Sequence, residues 1–500
     1  MSGTDRRIGD TAVIPLRIGG FGACRIVGMD GDHLIVGVLD WHSETVPSLE
    51  DVAVAGTLIL DHHSHAAEPA VISIDRTETP PSDLRWIGTL DGIEPVANCP
   101  RSGGWVYVLI QANLQWHWDL SLPEAAKAAY KAAAVIPSTR VELDFGHGRK
   151  TFRLGTSHLD FPKLAAVPPD ATPDWSQLDA LPMLTGLTWE GTDRGLIEAI
   201  GRRPVISALR WQNAPPLVDL SPTRVTSLWL SGSSPRRLLL PDRFERLTFV
   251  ELSGEPPEVV AEADGARVGL FIISPDPSIP PGLRSVRNLQ LSVRGSFSVA
   301  SLSGLDDLEV LRIDWTTSPG ELAEARQLSR FLSLFSLELN SAYALDASSL
   351  PETWPALRSL HVDGIRRETA KLLKSRYRRS ELDLVVQGAK SDDWLAENLN
   401  NPFRDWIEDD RRAAAAACKA YTTASRALGD LPGDPGERAE AAKSALRAFI
   451  ETLNLVDERH DGFIDTIRRE ESGEAFADLA ERAGISTTQA DEWFDDWRDF

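Results

Sequence analysis

The sequence predicts a multidomain α+β protein with three kinds of region: a small β-rich N-terminal domain, an irregular solenoid of short repeats and a C-terminal α-helical domain. Three observations predict it. Residues 8–95 carry short apolar runs separated by turn signals. Between about residues 181 and 390 an apolar-x-x-apolar-x-apolar pattern recurs. From about Ser391 the apolar spacing becomes helical. At 500 residues the chain exceeds what one hydrophobic core supports. The expected divisions are 1–95, a connecting segment and repeat N-cap at 96–180, the array at 181–390 and an acidic helical region at 391–500.

In the N-terminal part, strands are expected at Thr11–Leu16, Ala23–Val27, His33–Leu39, Thr57–Leu60 and Val71–Ile74. Gly19-Gly20 and Asp30-Gly31-Asp32 mark turns between them. Short strands with tight turns indicate a small barrel or curled sheet. The segments Arg7-Ile8-Gly9-Asp10, Val13-Ile14-Pro15-Leu16 and Gly20–Val27 resemble the opening of bacterial polymorphic-toxin immunity proteins of the immunity protein twenty-six family. Trp86-Ile87-Gly88 resembles that family's closing Trp-x-Gly segment. The resemblance implies a compact β domain in a family whose members bind and neutralise cognate toxins. It brings no catalytic residues with it.

Next come Trp105–Ile110 and Trp116-His117-Trp118, a dense aromatic patch expected to be core at a domain junction. Pro123–Ala129 reads as a helix with proline in its first turn. A hairpin is expected between Val141–Phe145 and Thr151–Leu154. The intervening Gly146-His147-Gly148-Arg149-Lys150-Thr151 fails the phosphate-loop pattern, because Arg149 and Asp144 stand where glycines are required.

The repeat reads Leu184-x-x-Leu187-x-Trp189, Ile206-x-x-Leu209-x-Trp211 and Val225-x-x-Leu228-x-Leu230. It continues through Leu247-x-x-Val250-x-Leu252, Val268-x-x-Phe271-x-Ile273 and Val286-x-x-Leu289-x-Leu291. Leu308-x-x-Leu311-x-Ile313, Leu334-x-x-Leu337-x-Leu339 and Leu357-x-x-Leu360-x-Val362 follow, and Leu382-x-Leu384 is a weaker tenth unit. This period resembles that of leucine-rich repeats, whose units span roughly 20–29 residues. One unit cannot cover its own apolar face, so units stack. The usual turn asparagine is sparse, with Asn213 and Asn340 as candidates. The returns are proline-rich and expected to be irregular, with a helix at Leu322–Leu328.

Residues alternating with the buried set face outward. The expected outward stripe is Thr188, Arg210, Trp229, Glu251, Ile272, Gln290, Arg312, Glu338, His361 and Asp383. Mixed charge with Trp and Arg suits a protein-binding face, for which Arg210, Trp229, Glu251, Arg312, Glu338 and His361 are the candidates.

Function is bounded by charge. The 52 Lys+Arg against 74 Asp+Glu give a net −22. Residues 1–100 carry −9, residues 401–500 carry −10, and the middle is nearly neutral. A duplex-binding surface must be basic, so no nucleic-acid partner is expected. The tail 476–490 reads as helix-turn-helix, but its second helix continues into 491–500 with five acids and one base. That composition suits a packing face of Trp493, Phe494, Trp497 and Phe500 rather than a major-groove reader. Two further helices are expected around Ala413–Ala417 and Glu437–Leu455, with a break at 429–436.

No apolar leader or spanning segment is seen, and Cys24, Cys99 and Cys418 form no pair. A cytoplasmic setting without membrane partner, cofactor or metal is expected. The cluster Asp61-His62-His63-Ser64-His65 holds metal-ligand types, but on a strand end only His63 and His65 would share a face. The expectation there is a surface turn. Taken together, the sequence predicts a non-enzymatic protein-binding protein. The leading reading is an immunity-type protein that neutralises a toxin, and the expected toxin is basic. The alternatives are a repeat adaptor or scaffold unrelated to toxins, and a metal-binding protein or enzyme acting through His62–His65.

Overall fold

The computed structural model describes residues 6–63, 65, 67–78, 80–81, 84–97, 99, 101–146, 148–164 and 171–500. Ser64 and His147 lie outside the described residues. The chain divides into two compact units, Met1–Gln290 with Leu302–Glu309, and Leu291–Ser301 with Val310–Phe500.

The first unit begins with an antiparallel sheet of five strands, hydrogen-bonded in the order Val71–Asp75, His33–Val38, Phe21–Asp30, Asp10–Pro15, Arg85–Thr89. No pairing among the described residues closes it into a barrel. A helix, Trp105–Ser121, covers it instead: Trp105, Val108, Ala112 and Trp116 join Ile14, Ile26, Val36 and Ile72 in one buried cluster. The aromatic patch is therefore helical, with its tryptophans and Val108 in the core and Val106 and Ile110 exposed. Helical spacing places Trp105, Val108, Ala112 and Trp116 on one face. Trp118 turns to a second small cluster with Leu122 and Tyr130.

The residues that resemble the immunity family act as scaffold here. Gly9 sits at φ 94°, and a Cβ there would lie 1.9 Å from the carbonyl oxygen of Leu90. Only glycine allows that approach. Asp10 accepts from the Thr89 hydroxyl at 2.6 Å. The buried Arg25 donates to the Val52 carbonyl at 2.6 Å and to the Thr11 hydroxyl at 3.2 Å. Trp86 meets Trp105 edge-on at 5.8 Å.

After the expected hairpin, Arg140–Asp144 with Arg149–Arg153, the first unit builds parallel strands. They are His158–Asp160, Gly186–Glu190, Ala208–Gln212, Ser227–Ser233, Arg246–Ser253 and Gly269–Ile273. Their register aligns Leu187, Leu209, Leu228, Leu247 and Leu270, each at most 1% exposed. The proline-rich returns are more regular than expected. Leu217–Asp219, Arg237–Leu239 and Glu258–Val260 form a second parallel sheet, each burying its middle residue, Val218, Leu238 or Val259. Asn213 fills the turn role expected of it: at φ 51°, its side-chain oxygen accepts from the Ser233 amide at 3.2 Å.

The second unit carries parallel strands Val310–Ala323, Ser336–Asn340, Ser359–Asp363 and Asp383–Val386, aligning Leu311, Leu337, Leu360 and Leu384. The helix expected at 322–328 is displaced. Leu322 and Ala323 end a long strand, Glu324 turns at φ 54°, and a 3-10 helix covers Ala325–Arg330. Four longer helices follow: Arg411–Gly429, Pro435–Arg459, Thr466–Arg482 and Thr487–Trp497. Asp410, Asp434, Asp465 and Ser486 cap their N-termini through side-chain oxygens. Their core joins Phe403, Leu446, Phe449, Ile450, Phe476 and Leu479, and Trp493, Phe494, Trp497 and Phe500 pack against it. The acidic terminal helix thus uses its aromatic face for packing. Arg404 ties these helices to the strands: it donates to the Ser318 hydroxyl at 3.0 Å and the Leu399 carbonyl at 2.7 Å, beside the Tyr343 ring. No helix among the described residues is long and apolar enough to cross a membrane.

Candidate functional site

In the first unit the buried leucines fix which side chains point outward, because strand residues alternate between faces. The central outward row, read through the register, is Thr188, Arg210, Trp229, Thr248 and Phe271. Arg210 and Trp229 are direct neighbours. The guanidinium stands 5.2 Å from the indole centroid, and Trp229 is 36% exposed. On the same face Arg246 stands 5.0 Å from the Phe271 ring. Two cation–aromatic pairs therefore occupy one rigid surface. At its edge His158 shares a hydrogen bond of 2.9 Å with the Thr188 hydroxyl, and burial, helped by nearby Arg210, lowers its pKa.

Two expected members of the row are elsewhere. Glu251 lies beyond it, at φ 44°, next to a bulge where Ser231 and Ser233 shift register. Thr248 takes its place. The reason is that Leu247, Thr248 and Phe249 are all buried, so the apolar pattern at 247–252 fits two registers. Likewise Leu270 and Ile272 are buried and Phe271 faces outward, one residue off the expected pairing. The signal that resolves the first is the Leu228–Leu247 spacing, which repeats the preceding interval between Leu209 and Leu228.

The second unit brings Arg312, Glu338 and His361 together as successive register partners, followed by Val385. Asp383 pairs with Ser359, so the weak tenth repeat is set two residues from where the pattern placed it. Arg312 is not a free anchor. Its Nε donates to Asp314 at 2.9 Å and its Nη1 lies 3.1 Å from Glu338. The bond to Asp314, with the charges of Asp314 and Glu338, raises its pKa further. Asn340 donates to Asp314 and Glu338 as well, at 2.6 and 3.0 Å. The Nε2 of His361 is buried without a hydrogen-bond partner. In this row Arg312 is already taken up by two carboxylates in a polar network.

The histidine cluster forms the expected turn, but the turn is not confined to the surface. The strand ends at Leu60, and the following residues form a turn with His63 at φ 51°, so strand alternation does not apply. His62 is buried, 3% exposed. Its ring lies 5.2 Å from that of His63 and 4.7 Å from that of His65, and its Nδ1 is 3.0 Å from the His63 Nδ1. Gln115 from the covering helix pins the turn by accepting from the amides of Asp61 and His62 at 2.9 and 3.1 Å. His63 packs against Trp118 and Tyr130. Burial above all pushes His62 down to about 4, and the charges of His63 and His65 push the same way. Among the described residues no group of three or more His, Cys, Asp or Glu is arranged to hold a metal ion.

Compared with known proteins, the chain matches no family model and no curated protein. Among solved structures, a leucine-rich-repeat protein of Leptospira interrogans is similar at 14% identity, over 46% of this chain and 72% of its own length, with a TM-score of 0.22.

Proposed function

We propose that this is a non-enzymatic protein-binding protein whose parallel array is a leucine-rich-repeat solenoid, and that the outward face of its first unit grips a protein partner. The observation that carries this reading is the Arg210–Trp229 pair, half-exposed on adjacent strands whose backbones are held by register. Trp and Arg dominate interface energetics because they bury large area and, for Arg, donate several hydrogen bonds. The partner favoured by the resemblance of the N-terminal residues is a toxin that this chain neutralises. The acidic first and last hundred residues favour a basic one, since opposite charge accelerates encounter. An adaptor serving a partner other than a toxin would use the same surface.

The test is capture of the partner from the native host, followed by titration against wild type and Trp229→Ala. The variant is expected to bind about 2 kcal/mol more weakly and to melt like wild type. Higher salt is expected to slow association more than it speeds dissociation. Unchanged affinity in Trp229→Ala overturns the anchor, and a captured partner with no toxic activity overturns the immunity reading.

A further inference from the structure

A basic groove lies within the second unit of this acidic chain. Its volume is about 1240 Å³, and Arg367, Lys390, Arg404, Arg411, Lys419 and Arg426 line it, with Asp363 as the one acidic lining residue. Arg404 is committed to its structural bonds, and Lys390 sits 5.2 Å over the Trp394 ring. Among the described residues, no ion pair engages Arg367, Lys390, Arg411, Lys419 or Arg426. Elsewhere in the unit exposed arginines do find carboxylates, as Arg366 finds Asp392 and Arg447 finds Glu451. Five unpaired cations converging on one concavity, in a chain of net −22, form a site for an anion.

The spacing says which kind. Arg411, Lys419 and Arg426 stand at i, i+8 and i+15 on the helix Arg411–Gly429, within about 80° of one face. At about 1.5 Å per residue they are about 12 and 10 Å apart along the axis and span about 22 Å. One phosphate group cannot meet charges so far apart. Small side chains, Ala414, Ala415 and Cys418, separate them and leave room for a chain to lie along the helix. The volume also exceeds the roughly 300–1,000 Å³ of small-molecule pockets. An extended peptide covers about 22 Å in about seven residues and meets one cation every three to four. It also brings N–H donors to the lining's one carboxylate and to its side-chain amides, which a phosphodiester backbone does not.

We propose that this groove binds a short acidic polypeptide segment, with Arg411, Lys419 and Arg426 as the row that reads its carboxylates. The probe is a fluorescein-labelled nine-residue peptide with Glu at positions 1, 5 and 8 in a Gly/Ser/Ala background, tested on the full chain by fluorescence anisotropy. The comparison probes are the same peptide with Lys for Glu, a nine-nucleotide oligo(dT) and inorganic tripolyphosphate. The expected result is saturable binding of the acidic peptide alone, weakened about tenfold by Lys419→Glu with Arg426→Glu. Arg412→Glu, on the same helix but outside the groove, is expected to bind like wild type. Lys419→Gln with Arg426→Gln, a milder pair, supplies the measurement if the reversal does not fold. Equal affinity in the folded groove variants, equal loss in Arg412→Glu, no binding of the peptide, or tighter binding of oligo(dT) or tripolyphosphate each overturns the proposal.

Discussion

His62 makes acid stability a test of the N-terminal packing. An imidazole held 3% exposed, with burial pushing its pKa from 6.5 to about 4, resists protonation in the folded chain only. Between those two values the unfolded chain binds a proton that the folded chain does not. Stability therefore rises with pH across that window, is fully present above about 6.5, and is lost as pH falls toward 4. At about 1.4 kcal/mol per pH unit, the drop from 6.5 to about 4 is worth about 3.5 kcal/mol in full. His63, His65 and His117 are lowered as well, mainly by burial, and steepen the same window. Their share is removed by comparing wild type with His62→Gln, which keeps a polar side chain but cannot titrate. Urea unfolding of both at pH 7.5, 6.0, 5.0 and 4.5, followed by tryptophan fluorescence, is the assay. The stability of wild type relative to His62→Gln is expected to fall by about 2.5 kcal/mol from pH 7.5 to 4.5. Parallel profiles, or an NMR titration placing His62 near 6.5, would show that the turn does not exclude water as described.

Three further substitutions test the array. Leu228→Asp and Leu311→Asp each put an unpaired carboxylate where the native side chain is 0% exposed, and a loss of about 4 kcal/mol or more, with reduced solubility, is expected in thermal melts. Gly282→Ala places a Cβ 1.9 Å from the Val259 carbonyl oxygen at φ +91°, so a cost of about 1–3 kcal/mol by urea titration is expected where the second parallel sheet meets its return.

Charge divides the chain's interactions by range. At physiological salt the Debye length is about 8 Å, so separated surface charges mainly alter encounter rates, while charges within a groove act at contact. The acidic terminal regions thus bear on how fast a basic partner arrives. The unpaired cations around Lys419 bear on what stays bound. Salt dependence of association is the signature of the first, and charge reversal at two residues is the signature of the second. Neither observation can be mistaken for the other, which keeps the partner surface near Trp229 and the basic groove separately testable.

What the sequence made legible follows from where a side-chain pattern has one solution. The short apolar runs from Thr11 to Val38, the turn glycines between them, the hairpin at 140–153 and the helices after Asp410 each had one, and the structure places them there. The repeat period had one too, but the register inside a repeat did not. Where Leu247, Thr248 and Phe249 are buried consecutively, an apolar motif can slide, and Glu251 was drawn onto a face it does not occupy. The second sheet at Val218, Leu238 and Val259 was hidden because three-residue strands between prolines show too little alternation. The turn after Leu60 was legible, but the burial of His62 in it was not, because the Gln115 that pins the turn lies more than fifty residues away in sequence. The groove was hidden for a different reason. Its cations come from 367 to 426, where almost as many acids are interleaved with them along the chain, so the running sum stays close to zero. Charge summed along a chain reports the far field, whereas binding reports the local arrangement. Folding sets Arg367 and Lys390 around the same concavity as Arg411, Lys419 and Arg426, and a count along the sequence cannot express that convergence.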